Sequence, residues 1–587
     1  MHAPFCRWNV LAAVAFLGLI VDGGSLRLRA QDVAKQPVIE LPVYTVTETR
    51  ALPPPESWSY AHIDGFEVLS NAPDRETKKL LRDFQRFHQA LTKIAMPNIE
   101  PPTAVPNVLI ICGRGGKFDA FKPRDDGNPE HAMASFTLRG REFSAIVIDF
   151  QAKVISLSTP ESLAAASRPD GASNTDFGVD SYKQLYREYV HFLIDSREPP
   201  PPAWLVEGLA QILMGIQVSK NTVAVGRIED PNLVSAAEAE MISMGATGSA
   251  PQEDRDFNAA LNGRALLPMD ELFAVEHDSP EASNPLGSTW AKQCYAFVHW
   301  AIYGENGRHQ KAFLAFASRL GNEPPSEEVF KECFKMSYAD MGTELRSYIQ
   351  FTAYQSAEFR ARKGQQIPEP PPFELRAATE SEVGRLTGDV LHLAGREEAA
   401  HLALIAPYIH GERDPQLLAA LGLHERARGD DARARKFLEA AAQAKAVRAR
   451  AYLELARLRL TEARAAGGGQ LNPEQMTSVL RPLFTARAQP PPLPEVYEFI
   501  ADAWSRSAIA PTAANLGVLD EGVRMFPRDA TLAYRDAALK VKIGLSAEAA
   551  VLVELGLRIA TDGATREGFM ALKATLPPSP PSSPPAK

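Results

Sequence analysis

Leu185-Tyr186-Arg187-Glu188-Tyr189-Val190-His191-Phe192-Leu193, followed after a proline break by Pro202-Ala203-Trp204-Leu205-Val206-Glu207-Gly208-Leu209-Ala210, is the stretch on which the reading of this chain turns. Between Tyr182 and Ile216 the pattern is helical on both sides of Pro199 to Pro202, because prolines interrupt a helix that the apolar spacing otherwise supports. In the first helix Arg187 and His191 stand one turn apart on a shared face, with Glu188 beside them. The second helix carries a single acid, Glu207, in an otherwise apolar run.

In a His-Glu-x-x-His helix the two imidazoles hold Zn²⁺ while the glutamate polarises the metal-bound water. The first helix here has that form except at its first position. Together with the Trp204-Leu205-Val206-Glu207-Gly208-Leu209-Ala210 helix, it resembles the peptidase MA-like gluzincin families. The resemblance continues in Gln293-Cys294-Tyr295-Ala296-Phe297-Val298-His299-Trp300 and in Phe334 to Tyr348, so that it spans residues 62–355. It implies an α+β zincin-like metallopeptidase domain, in which His191 matches the second imidazole ligand, Glu207 the carboxylate ligand and Glu188 the general base.

The departure lies at the first ligand position, which holds Arg187. A guanidinium is permanently protonated and offers a metal no lone pair. At about 4 Å and an effective dielectric of about 20 it would repel a divalent ion by about 8 kcal/mol. A complete structural zinc site is worth about 10–16 kcal/mol, so most of the affinity would be cancelled. Arg187 is instead expected to turn its fork toward Glu207 and replace the metal by an internal ion pair. The predicted outcome is an inactive pseudopeptidase without a cofactor, acting as a peptide- or protein-binding or assembly module. The alternative is an active zinc-dependent peptidase that recruits a substitute ligand and keeps Glu188 as its base.

Outward from this centre, residues 31–61 read as an extended lead-in ending at Pro53 to Pro55. A short strand from Phe66 to Leu69 follows, and Asn71 to Asp74 offers caps for a helix with apolar positions at Leu80, Leu81, Phe84, Phe87, Leu91 and Ile94. Val108 to Cys112 and Ala145 to Phe150 read as buried strands, giving the order strand, helix, strand, strand. Later helices are predicted over Thr289 to Tyr303, Gln310 to Leu320, Ser326 to Lys335 and Tyr338 to Tyr348.

A proline-rich linker is expected over 356–374, and residues 375–570 are then rich in Ala, Leu, Arg and Glu. Frames of 34 residues begun at Pro415, Ala449, Pro494 and Thr531 put small residues such as Gly422, Ala456, Ala501 and Ala538 at position 8. Ala434 and Ala550 fall at position 20. This resembles tetratricopeptide repeats, and it predicts an all-α TPR-like solenoid, closed by a Pro/Ser tail over 571–587.

The chain has 587 residues, which suggests about four folding units. Its 63 basic and 72 acidic residues leave a net charge of −9, so no general positive field favours nucleic acid, and the expected partner is a protein or peptide held by the cleft and the repeats. Residues 1–30, with an apolar run from Val10 to Val21, read as a secretory signal cut near Ala30; an uncleaved anchor is the alternative. The mature chain would then be periplasmic or secreted, with no integral membrane span. Cys112, Cys294 and Cys333 remain, and Cys294 with Cys333 is the one pair that helical contact would allow, buried free thiols being the plainer reading. His62 and His131 have no spacing that ties them to the cleft. Gly113-Arg114-Gly115-Gly116-Lys117 lacks phosphate-loop spacing, and His299 reads as a hydrogen-bonded core residue.

Overall fold

The computed structural model describes residues 39–44, 57–63, 65–97, 99, 107–113, 117–123, 135–150, 153–155, 176–178, 181–195, 201–228, 256–277, 279–283, 288–320, 323–350, 353–363, 365–466, 470–560 and 562–577. Residues 1–30, read above as a signal, Pro53 to Pro55, His131, the triple glycine 467–469 and the tail beyond 577 lie outside the described residues. Residues up to Glu40 form one unit and Leu41 to Lys587 another; all that follows concerns the second. It is an α+β region followed by a long run of helices.

Strands β1 (Ser59–Ile63), β2 (Phe66–Ser70), β3 (Asn107–Cys112), β4 (Ser135–Arg139), β5 (Ser144–Asp149) and, much later in the chain, β11 (Arg376–Ala377) make a six-stranded sheet in the order β11-β1-β2-β3-β5-β4. The pairs β2–β3 and β3–β5 are parallel; β1–β2, β4–β5 and β1–β11 are antiparallel. Val108 to Cys112 is buried throughout, which an unbroken apolar run demands of a strand covered on both sides. Leu109 and Ile111 face one core with Ile146 and Ile148, while Val108, Ile110 and Cys112 face another with Ala145 and Val147.

The first face carries helix α1 (Asp74–Ala90), which buries Leu80, Leu81, Phe84 and Phe87 and passes into a π-helical turn at Leu91–Ala95. Its N-cap position is Pro73, without a side-chain cap; Asn71 instead accepts a hydrogen bond from the Gly113 N–H at 2.7 Å, tying β2 to the end of β3. Helices α2 (Ser181–Asp195), α3 (Ala203–Met214) and α4 (Thr289–Tyr303) join this core, as do the expected later helices, found at Gln310–Arg319, Glu327–Phe334 and Tyr338–Ile349. Two further small sheets are β6 (Lys153–Ile155) with β7 (Asp176–Gly178), and β8 (Gln217–Val218), β9 (Thr222–Val225) and β10 (Ala357–Arg360).

The second face is covered by α5 (Glu380–Leu393) and the start of α6 (Glu397–Ile409): Leu386, Val390, Leu391 and Ala400 share a core with Trp58, Leu69, Ile110 and Val147. The sheet is thus a middle layer, and its outer cover comes from the helical region. The stretch expected as a linker, 356–374, supplies β10, a Glu369–Arg86 ion pair at 2.9 Å and a Pro371 carbonyl that accepts from Gln85. The order strand, helix, strand, strand also omitted β1 and β4, two short strands that form hairpins with the strands that follow them, Ile63 opposite Phe66 and Arg139 opposite Ser144.

Beyond α6 run the hairpins α7 (Pro415–Ala427) with α8 (Asp431–Gln443), α9 (Ala449–Ala465) with α10 (Pro473–Arg487), α11 (Pro494–Ser505) with α12 (Ala513–Met525), and α13 (Ala530–Lys542) with α14 (Ser546–Ile559), then α15 (Gly563–Thr575). Gly422 lies where a Cβ would come within 2.7 Å of the Leu438 side chain, so the absence of a side chain favours this close approach of α7 to α8. In the last pair the buried small residues are Ala537 and Ala549 rather than Ala538 and Ala550, so that frame starts at Ala530, one residue earlier than expected. The segment Leu41 to Tyr44 lies against α6, α7 and α8: Tyr44 stacks on Phe437 at 6.1 Å and donates to Glu425 at 2.5 Å, and Tyr408 donates to the Pro42 carbonyl at 2.8 Å. Among the described residues no helix is long and apolar enough to cross a membrane. Cys112, Cys294 and Cys333 are free thiols, so Cys294 and Cys333 are not bridged.

Candidate functional site

Helix α2 is set by its aromatic face. Tyr186 stacks on Phe87 with ring centroids 4.0 Å apart, and the Tyr189 hydroxyl and His88 Nδ1 are 2.7 Å apart. That docking turns Arg187, Glu188 and His191 toward β4 and α3. Helix α3 is fixed by Gly208, where a Cβ would lie 2.4 Å from Val298 Cγ2 and 2.7 Å from the Cys294 carbonyl of α4. With α3 held this close, Glu207 is 1% exposed.

The four residues singled out by sequence meet here. Arg187 Nη2 donates to Glu207 Oε2 at 2.7 Å, and its Nη1 donates to Glu188 Oε1 at 3.2 Å. His191 Nε2 is 2.9 Å from the same Glu207 Oε2. A carboxylate oxygen only accepts, so Nε2 carries the proton. Gln211, one turn beyond Glu207, donates to Oε1 at 2.8 Å and accepts from Lys292 Nζ at 3.1 Å. Burial alone would raise the Glu207 carboxyl, but the Arg187 charge, followed by the His191 hydrogen bond, holds it well below the usual carboxylate range. Burial, with the nearby Glu207 charge, pushes the Cys294 thiol up, which keeps it an inert neutral group.

Glu188 is tied from the other side by the edge strand. Thr137 donates to Oε2 at 2.9 Å and Ser135 to Oε1 at 3.1 Å. Ser135 and Thr137 were not singled out by the sequence; neither was Lys292, which is 0% exposed in an apolar helix. Gln211 alone had a local signal, its position one turn from Glu207. Arg139 extends the link between strand and helix, donating to the His191 carbonyl at 3.0 Å.

His299 is a core residue. Its Nε2 lies 2.7 Å from the Gly226 carbonyl and so donates, and its Nδ1 accepts from the Tyr348 hydroxyl at 2.7 Å. Burial lowers it to about 4. His62 lies on β1, away from this cluster, and lines a groove with Arg385 and Arg448. Gly113 directly follows β3, and the three residues after it are outside the described residues.

Chemically, the cluster is a closed salt-bridge network. Arg187 pairs with both Glu188 and Glu207, and Gln211 fills the second oxygen of Glu207, so a divalent ion would have to displace a guanidinium from the two carboxylates it already bridges. The donor set does not fit zinc in this arrangement: one candidate ligand oxygen already accepts a guanidinium and an imidazole N–H, and the imidazole nitrogen facing it is protonated. No family model matches this sequence, and comparison with curated proteins finds no match.

Proposed function

We propose that residues 62–355 are a gluzincin-like, peptidase MA-like domain that has exchanged zinc and hydrolysis for the binding of an extended peptide or protein partner, with TPR-like hairpins as a second surface. The observation that carries this reading is the position of Arg187, whose guanidinium bridges Glu207 and Glu188, the two carboxylates on which metal binding and water activation would depend. Strand β4 supports the binding half. It stands at the end of the sheet with β5 as its one partner among the described strands, and beside the cluster, where an extended peptide could add by main-chain pairing. Export to the periplasm or medium is part of the same reading and rests on the Val10 to Val21 segment.

The test compares hydrolysis with binding. The purified chain is expected to show no EDTA-sensitive cleavage of a fluorogenic peptide library. Glu188→Gln should leave the affinity for a selected peptide ligand unchanged. Cleavage that EDTA and Glu188→Gln both abolish would establish the competing reading, a zinc peptidase with Glu188 as base and His191 and Glu207 as ligands. In Arg187→His, one additional zinc is expected that a second change, His191→Ala, removes again, because the cleft then regains two imidazoles and an unpaired carboxylate.

A further inference from the structure

A second cluster of metal-ligating side chains lies in the helical region, where three helix ends meet. His392 stands in the last turn of α5, Glu397 opens α6, and His424 stands in the last turn of α7. The Glu397 carboxylate lies between the two imidazoles, with Oε1 2.9 Å from His392 Nδ1 and Oε2 4.0 Å from His424 Nδ1. One donor atom from each of the three falls within 4.8 Å of the other two. Ligands at 2.0–2.1 Å from a tetrahedral zinc stand about 3.3 Å apart, so the triangle closes on an ion with small side-chain movements.

His424 is the telling member. It is 4% exposed, and neither of its ring nitrogens has a hydrogen-bond partner. A neutral imidazole carries one donor and one acceptor, and leaving each buried without a partner costs about 1–3 kcal/mol. His401 stacks on it with centroids 5.2 Å apart, and the His401 Nδ1 is likewise buried without a partner.

We infer that His392, Glu397 and His424 bind a divalent transition-metal ion, zinc by ligand chemistry, with the fourth position open to a cavity of about 240 Å³ that Asp389, Leu404 and Ala427 help to line. The nearby cations do not forbid it, because each faces carboxylate. Arg428 lies 3.6 Å from Glu398, Arg426 pairs with Asp431, Arg450 with Glu454 and Glu495, and Arg448 with Glu142 and Asp389. The inference is independent of the proposed function of the cleft.

The test is equilibrium dialysis of the full chain, first stripped with EDTA, against zinc at micromolar concentration, with thermal unfolding as a second readout. One equivalent is expected, raising Tm, and cobalt in its place should give the intense visible absorption of a tetrahedral centre. His392→Ala, at the half-exposed ligand, should weaken binding on the order of 100-fold and abolish the Tm shift; His424→Gln should do the same. His191→Ala should leave both readouts intact. Absence of binding by the wild-type chain, or zinc that survives both His392→Ala and His424→Gln, would overturn the inference. Zinc lost in His191→Ala alone would overturn it too, and would also count against the metal-free reading of the cleft.

Discussion

The cleft and the α5–α6–α7 junction both set a glutamate beside imidazole, buried as Glu207 in the cleft and half-exposed as Glu397 at the junction, and they satisfy it in opposite ways. In the cleft the positive charge is covalent: Arg187 lies 2.7 Å from Glu207, and Thr137, Ser135 and Gln211 fill the remaining acceptor positions of the two carboxylates. At the junction Glu397 has two imidazoles, one of them, His424, buried and unpartnered at both nitrogens. A saturated network spends its polar atoms on each other and gains rigidity. An unsaturated one keeps lone pairs for a ligand.

The largest expected effect comes from unbalancing the saturated side. Glu207→Ala leaves the Arg187 charge buried and should destabilise the chain by about 3–5 kcal/mol in urea unfolding. Combining Arg187→Met with Glu207→Leu removes both charges and should recover most of that loss; failure to recover would mean that the network contributes more than charge balance.

Acid should separate the two regions next. His424 and His299 are held at about 4 against an ordinary 6.5, so between those values the folded state binds fewer protons than the unfolded one. Each therefore contributes stability that is present above pH 6.5 and is lost as pH falls toward 4, about 3 kcal/mol apiece. Asp536 works in the opposite sense, since burial pushes it up to about 6 and its ionisation costs stability as pH rises. The difference between wild type and His424→Leu isolates the junction: the variant's unfolding free energy should fall less between pH 7 and pH 4.5. An unchanged slope would show that His424 is protonated without penalty.

The smallest effect concerns the close approaches. Gly208→Ala brings a Cβ to 2.7 Å from the fixed Cys294 carbonyl, whereas Gly422→Ala meets mainly the Leu438 side chain. Both should cost about 1–3 kcal/mol, Gly208 at the upper end, measured by the shift in urea midpoint.

Most of the local architecture was legible because it is written in short-range spacing. The residues of α2 and α3, the helix Thr289–Tyr303 and the hairpin starts at Pro415, Ala449 and Pro494 follow from period and proline position. The cleft residues were legible for the same reason, lying on two helices with a recognisable pattern. What escaped depends on contacts between elements. β4 pairs with β5 as a local hairpin, Arg139 opposite Ser144, but that its Ser135 and Thr137 reach Glu188 follows from the docking of α2 against that strand, which no spacing in the chain encodes. The prolines of 368–372 suggested a linker, yet proline tolerates sheet margins and turns as readily as linkers, and this segment binds α1. His392, Glu397 and His424 sit on three helices, so they form no motif until the hairpins stack.

The strap from Leu41 to Tyr44 bears on what the hairpins can hold. Its tyrosine already occupies the surface formed by Tyr408 and Phe437, tethered to Glu425, the residue next to His424. Any peptide docking there would compete with this resident, at a local concentration set by the chain itself rather than by the cell. Selectivity at that surface would then be a matter of eviction: a guest would have to outbid a built-in tenant.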